Sequence, residues 1–179
     1  MTDNRKHTQA VSAGEAAVDI QVFRQGLERE IDRLNRSSSR GLQAAALFLA
    51  VTLLARGGFS FLPGADPVRA LLGAPPSARV IGTALLLYTF FAVVLSLCRM
   101  AAGIGPQNCF GHVGYLTGFY LFYYFGKSLD ENFWAVFAAG VTVLGVESYR
   151  IWTFAAENIA KKQEQLSYAV RTGRTPPEE

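Results

Sequence analysis

Residues 80–98 read VIGTALLLYTFFAVVLSLC and contain no charged side chain. About 20 mostly apolar residues in helical form span the roughly 30 Å hydrocarbon core of a bilayer. Residues 109–126, CFGHVGYLTGFYLFYYFG, are similarly apolar and nearly as long. We therefore predict that both stretches are transmembrane helices.

Two further apolar stretches flank this pair. Residues 42–62 are interrupted by Arg56, and residues 133–154 carry Glu147 and Arg150. Half of the chain is apolar and 17% is charged, which leaves too little polar sequence to coat four apolar helices in water. The predicted fold class is an all-α polytopic membrane protein. It is a four-transmembrane-helix bundle with an N-terminal cytoplasmic amphipathic helix and a C-terminal helical extension.

The positions of Lys and Arg predict the orientation of the bundle. Cytoplasmic segments close to the spans are enriched in these residues, and an even number of crossings places thirteen of the 17 on one side. The other side holds Arg56, Arg69, Arg79 and Lys127. We predict a multi-pass protein with both termini in the cytoplasm, in a bacterial inner or plasma membrane or in an organelle membrane.

Four segments follow from these spans: a disordered N-terminus (1–11), a cytoplasmic amphipathic helix and linker (12–40), the transmembrane domain (41–154), and a cytoplasmic helical extension with a disordered tail (155–179). The linker is Ser37-Ser38-Ser39. The amphipathic helix carries an apolar stripe at helical spacing: Ile20, Phe23, Leu27, Ile31 and Leu34.

The opposite face of this amphipathic helix is nearly neutral, whereas helices that bind anionic lipid are strongly cationic. We therefore expect a protein partner for the stripe. The C-terminal extension offers a facing stripe of Ile159, Leu166 and Val170, from the same chain or from another subunit.

A polar intramembrane layer is predicted near the cytoplasmic end of the last two spans. His112 and Glu147 are equally distant in sequence from the turn between those spans, so they should lie at the same depth. A neutral imidazole and a carboxylate at one level could satisfy each other, relay protons, or hold a quinone or other polar ligand. Glu147 could instead pair with Arg150, three residues later on the same helix face. Arg99 and Asn108, at the same membrane face, extend the predicted layer.

Three glycines in the third span, Gly111, Gly114 and Gly118, form what we call the glycine face. Small residues at such spacing let another helix approach closely. They predict helix packing, within the bundle or between subunits. Arg56 is a possible outer-side polar residue, and we favour the interpretation that its guanidinium snorkels to the outer interface.

Cys98, Cys109 and His112 offer ligand types that suit zinc. The set lacks a fourth protein ligand unless Glu147 joins it, and small buried cysteines at helix ends are commoner. We therefore predict neither a metal site nor a cofactor.

Motifs of catalysis are missing from the sequence. It contains no P-loop, no dinucleotide-binding glycine motif, no HExxH and no nucleophile elbow. Its cations do not form a basic stripe interleaved with exposed aromatics, which argues against nucleic acid as a partner. No catalytic residue is predicted, and a non-enzymatic role is favoured.

The predicted function is a non-catalytic integral membrane subunit, or an accessory or scaffold protein of a membrane complex, that docks partners through its helices. One alternative is a homo-oligomeric ion or proton channel or transporter that uses His112 and Glu147. Another is a small membrane enzyme or a quinone- or lipid-binding protein. The expected partners are membrane lipid and either other membrane protein subunits or further copies of the chain.

Overall fold

The computed structural model describes residues 3–62, 64–73, 75–105 and 109–172, with side chains from Gln21 onward except at positions 65, 69 and 72. Within these ranges the chain is all-helical and contains no strand. The helices are α1 (Asp3–Arg56), α2 (Ala65–Leu72), α3 (Ala78–Ala101), α4 (Phe110–Phe125) and α5 (Leu129–Thr172).

Three of these helices are long and apolar enough to span a membrane: α3, α5 and the Gln21–Arg56 part of α1. Only 22% of the most apolar 18-residue stretch of α3 is buried inside the protein. Large apolar side chains instead cover its outer surface: Leu86, Leu87, Phe90, Phe91 and Leu95. A surface of this kind is matched by lipid and is unfavourable in water. These features indicate a membrane-embedded, multi-pass protein.

Residues 38–154 form one compact unit, and α4 supplies the centre of its core. Leu116, Tyr120 and Tyr123 of α4 have no exposed surface. The Phe48 ring of α1 stacks on Tyr120, with 6.3 Å between ring centroids, and on Phe137 of α5 at the same distance. Aromatic packing therefore joins α1 to both α4 and α5.

Two glycines bring α1 and α5 into close contact. A Cβ atom at Gly140 of α5 would overlap the ring of Phe48, and one at Gly41 of α1 would lie 2.9 Å from Ser148 Oγ. Only a residue without a side chain fits at such positions, so close packing of helix backbones fixes this pair.

The described residues 3–37 and 155–172 form the second compact unit. Within it Leu27 and Ala169 are buried, and Phe23, Ile31 and Leu34 are half-buried. Glu30 forms an ion pair with Lys162. Of the stripe predicted on the C-terminal extension, Ile159 and Leu166 are half-buried whereas Val170 is exposed. The side chain of Ile20 lies outside the described residues.

The boundaries of α1 differ from those expected from the sequence. The predicted linker at Ser37 is helical, because the Ser37 hydroxyl donates to the Leu34 carbonyl at 2.9 Å and the helix continues through the serines. Residues 3–11, expected to be disordered, also belong to α1. The helix ends at Arg56 rather than near residue 62, because Gly58 adopts a left-handed conformation with φ +66°.

The C-terminal extension is a direct continuation of the last span. α5 runs without a break from Leu129 to Thr172, so the part of the extension up to residue 172 is helical. The predicted disordered tail falls mainly on residues 173–179, which lie outside the described residues.

Candidate functional site

Glu147 and Arg150 are the two charged side chains buried in the part of the chain that the structure describes, at 4% and 2% exposure. Their spacing of three residues places them on one face of α5. Ser96 and Tyr88 of α3 and His112 of α4 complete a connected group. We call these five residues the polar cluster.

The ion pair is the centre of the polar cluster. Arg150 Nη1 lies 3.3 Å from Glu147 Oε2 and 3.4 Å from Oε1, and the Ser96 hydroxyl donates to Oε1. Burying two charges is costly unless the pair is well formed and further hydrogen bonds satisfy it. Both oxygens of the carboxylate are engaged in this way.

Arg150 also forms hydrogen bonds with the segment that follows α3. Its Nη2 donates to the carbonyl of Ile104 at 3.1 Å and to that of Gly105 at 3.0 Å. Arg150 Nε is buried and has no hydrogen-bond partner among the described residues. The guanidinium therefore ties the end of α3 to α5 through backbone oxygens.

His112 contacts both neighbouring helices. Its Nδ1 lies 2.8 Å from the hydroxyl oxygen of Tyr88. Its Nε2 lies 4.0 Å from Glu147 Oε1, which is beyond hydrogen-bond distance. The side chain of His112 is 24% exposed, against 6% for Glu147. The structure thus brings together the predicted trio of His112, Glu147 and Arg150, with Arg150 as the closer partner of the carboxylate.

The remaining predicted members of the polar layer lie around this group. Arg99 is half-buried at the end of α3, one turn beyond Ser96. Asn108 lies outside the described residues. Cys109 is buried and its thiol donates to the Arg40 carbonyl at 3.5 Å, whereas Cys98 is exposed.

Metal binding finds no support in this part of the chain. Among the described residues, no group of three or more His, Cys, Asp and Glu side chains could hold a metal ion. Cys98, Cys109 and His112 are therefore not brought together as a ligand set.

Arg56 lies at the opposite end of the bundle, where α1 ends. Its guanidinium carbon lies 5.5 Å from the ring centroid of Phe133 and 5.9 Å from that of Trp134. These distances are typical of cation–π contacts. The sequence predicted that the guanidinium snorkels to the outer interface, and it did not predict these ring contacts.

No described residue packs against the glycine face. A Cβ atom at Gly111, Gly114 or Gly118 would meet no other atom within 4 Å. The close-packed glycines are instead Gly41 and Gly140, which sequence reasoning did not single out. Ser96 and Tyr88 were also missed, although a hydroxyl in an otherwise apolar span was a usable signal.

The arrangement can hold opposite charges together inside a bundle and link them to Tyr88 through His112. Ser96 donates to a carboxylate and has no basic partner among the described residues, so it does not resemble an activated nucleophile. No protein-family model matches the chain, and no curated protein and no solved structure shows significant similarity to it. The functional proposal therefore rests on the geometry of the polar cluster and of the glycine face.

Proposed function

We propose that this chain is a non-catalytic integral membrane subunit or scaffold protein whose helix α4 docks another membrane helix. It crosses the membrane four times, through the second half of α1, through α3, through α4 and through the first half of α5. Both termini are cytoplasmic, as the excess of Lys and Arg on that side favours.

The length of α4 is compatible with a short fourth span. Its 16 residues extend for about 24 Å at 1.5 Å per residue, and thinning of the bilayer or flanking residues can accommodate the difference. On α5, exposed Trp134 and Trp152 are separated by roughly 27 Å of helix. Aromatic side chains favour the two membrane interfaces, so this spacing supports a span between them.

The open glycine face of α4 is the observation that carries the docking proposal. Elsewhere in the same unit, at Gly41 and Gly140, absent side chains let helices pack closely. At Gly114 and Gly118 the same kind of residue, at GxxxG spacing, faces open space. A glycine inside an exposed helix lowers helix stability relative to alanine, so three on one face are best explained by a helix supplied from outside the chain.

The polar cluster supports the non-catalytic part of the proposal. Its ion pair is directed at Ser96 and at backbone carbonyls of the same chain, and both charged side chains are almost fully buried. Such a group fixes the positions of α3, α4 and α5 relative to one another. We propose that the polar cluster thereby keeps the scaffold in one fixed arrangement.

Enlarging the glycine face tests this function. The double variant Gly114→Leu/Gly118→Leu should weaken association roughly tenfold or more, because interhelical contacts in membranes are worth about 1–2 kcal/mol. The matched control is Gly145→Leu, at another helical glycine beside open space. Association is measured by native mass spectrometry and by co-purification after extraction in a mild detergent.

The expected result is a defined complex for the parent protein and for Gly145→Leu, and its loss in the double variant. A parent protein that is a lone monomer with no co-purifying subunit would contradict the proposal. So would a double variant that associates as well as the parent.

A further inference from the structure

We propose that the exposed surface where α3 and α4 meet, around Tyr88 and Tyr115, binds a planar conjugated dicarbonyl ligand of the quinone class. His112 would donate a hydrogen bond to one carbonyl, and Tyr88 and Tyr115 would supply an aromatic wall. This role goes beyond the docking of a partner helix and rests on the side chains around Tyr88.

The aromatic wall is a cluster centred on Tyr88. The centroid of its ring lies 5.8 Å from that of Tyr115, 5.7 Å from that of Phe119 and 6.1 Å from that of His112. All three ring pairs are tilted, at 45° to 54°, so they are not stacked face to face. Tyr115 is 66% exposed. A flat conjugated ring can stack or make edge contacts with rings presented in this way.

The polar end of this surface is His112 Nε2. When the Tyr88 hydroxyl donates to Nδ1, the neutral imidazole carries its proton on Nε2. Glu147 Oε1, at 4.0 Å, is too distant to accept that proton in a hydrogen bond. An N–H group left unsatisfied in hydrocarbon is costly. A ligand carbonyl at this position would satisfy it.

The surroundings favour a quinone over a phospholipid headgroup. A Cβ atom at Gly111 would meet nothing within 4 Å, which leaves room beside Tyr115, whereas the partner helix is proposed to dock at Gly114 and Gly118. Phe91 and Leu95 are exposed apolar residues three and seven positions after Tyr88, on the same face of α3. They suit a hydrocarbon tail, whereas a phosphate headgroup would make no use of the aromatic wall.

Binding is tested on the full chain in nanodiscs of zwitterionic phospholipid, with decylubiquinone as the probe and empty nanodiscs as the background. Saturable binding is expected. Tyr115→Ala should weaken it about 3–10-fold, the range expected for loss of one aromatic contact. His112→Gln should weaken it roughly 5–10-fold, as expected for one lost hydrogen bond. In protein labelled with ¹⁵N-histidine, the probe should shift a resonance that is absent from His112→Gln.

The matched control is Phe122→Ala. Phe122 is an exposed aromatic residue of the same helix and takes no part in the Tyr88 cluster, so this variant should bind like the parent. Three results would overturn the proposal: no saturable binding above empty nanodiscs, unchanged binding in both His112→Gln and Tyr115→Ala, or equal loss in Phe122→Ala. A co-purified anionic phospholipid that is lost in these two variants and is not displaced by decylubiquinone would also overturn the assignment to quinones.

Discussion

Replacing Arg150 with methionine should destabilise the protein strongly, and a second substitution should reverse much of the loss. In Arg150→Met the carboxylate of Glu147, which is 4% exposed, loses its counter-charge. Breaking a buried ion pair in this way costs about 3–5 kcal/mol. The lost hydrogen bonds to the carbonyls of Ile104 and Gly105 cost roughly 1 kcal/mol each. With the low end of the first range, about 3 kcal/mol, the expected total is about 5 kcal/mol.

The double variant Glu147→Gln/Arg150→Met separates the cost of an unpaired buried charge from the cost of the lost hydrogen bonds to Ile104 and Gly105. Because no charge is left buried, only the two backbone hydrogen bonds are lost, at about 2 kcal/mol in all. The second substitution should therefore restore roughly 3 kcal/mol of stability. For a domain of this size that amounts to a Tm about 6–12 °C higher than that of Arg150→Met.

Thermal unfolding in a mild detergent, or steric trapping in a bilayer, measures these differences. Thr142→Val is the control on the same helix, because Thr142 is exposed and its hydroxyl bonds only to its own helix, at the Ala138 carbonyl. It should change stability by less than about 0.5 kcal/mol. If the Tm of the double variant is equal to or below that of Arg150→Met, the two side chains do not act as a unit. The proposal that the polar cluster fixes the positions of the helices is then refuted.

Two further predictions concern packing and topology. Gly140→Ala should destabilise the protein by about 1–3 kcal/mol in thermal unfolding, because the added Cβ overlaps the Phe48 ring. Gly145→Ala, beside open space, should not destabilise it, and equal losses in both variants would refute the close contact of α1 and α5. In intact membranes, a maleimide should label exposed Cys98 and spare buried Cys109. If a membrane-permeant reagent labels Cys98 in whole cells and an impermeant reagent does not, the result supports a cytoplasmic position for the C-terminal end of α3. Labelling of Cys98 by the impermeant reagent in whole cells would contradict it.

The three long apolar helices were predictable because a bilayer imposes a minimum apolar length. α3 lies over the uncharged stretch that begins at Val80, and it is longer by a few residues at each end. The meeting of His112 with Glu147 was also predictable, since two helices joined by a tight turn bring residues equally distant from that turn to one level. The helical path through Ser37 was not, because hydroxyls that bond to their own helix remove the reason for a break.

The partners of the polar cluster on α3 could not be predicted. The exposed surface of α3 is as apolar as its buried one, so the hydrophobic pattern does not reveal which side faces α5. Ser96 is buried against Glu147 because of its hydrogen bond, and such a contact depends on the rotation of both helices. For the same reason, glycine spacing predicted close packing without distinguishing Gly140, which is used inside the chain, from Gly114, which is not.

The rotation of the helices links the polar cluster to the glycine face. Lipid is as apolar as leucine, so burial alone gives a membrane helix little preference for turning one apolar side inward. In this protein the preference comes from the hydrogen bonds and ion pairs of Glu147 and from close contacts such as that at Gly140. On α4 the corresponding contact is the hydrogen bond between His112 and Tyr88, and Leu116 and Tyr120 face the core. Because a helix is rigid about its axis, the same rotation turns Gly114 and Gly118 outward, where we propose that a second helix docks.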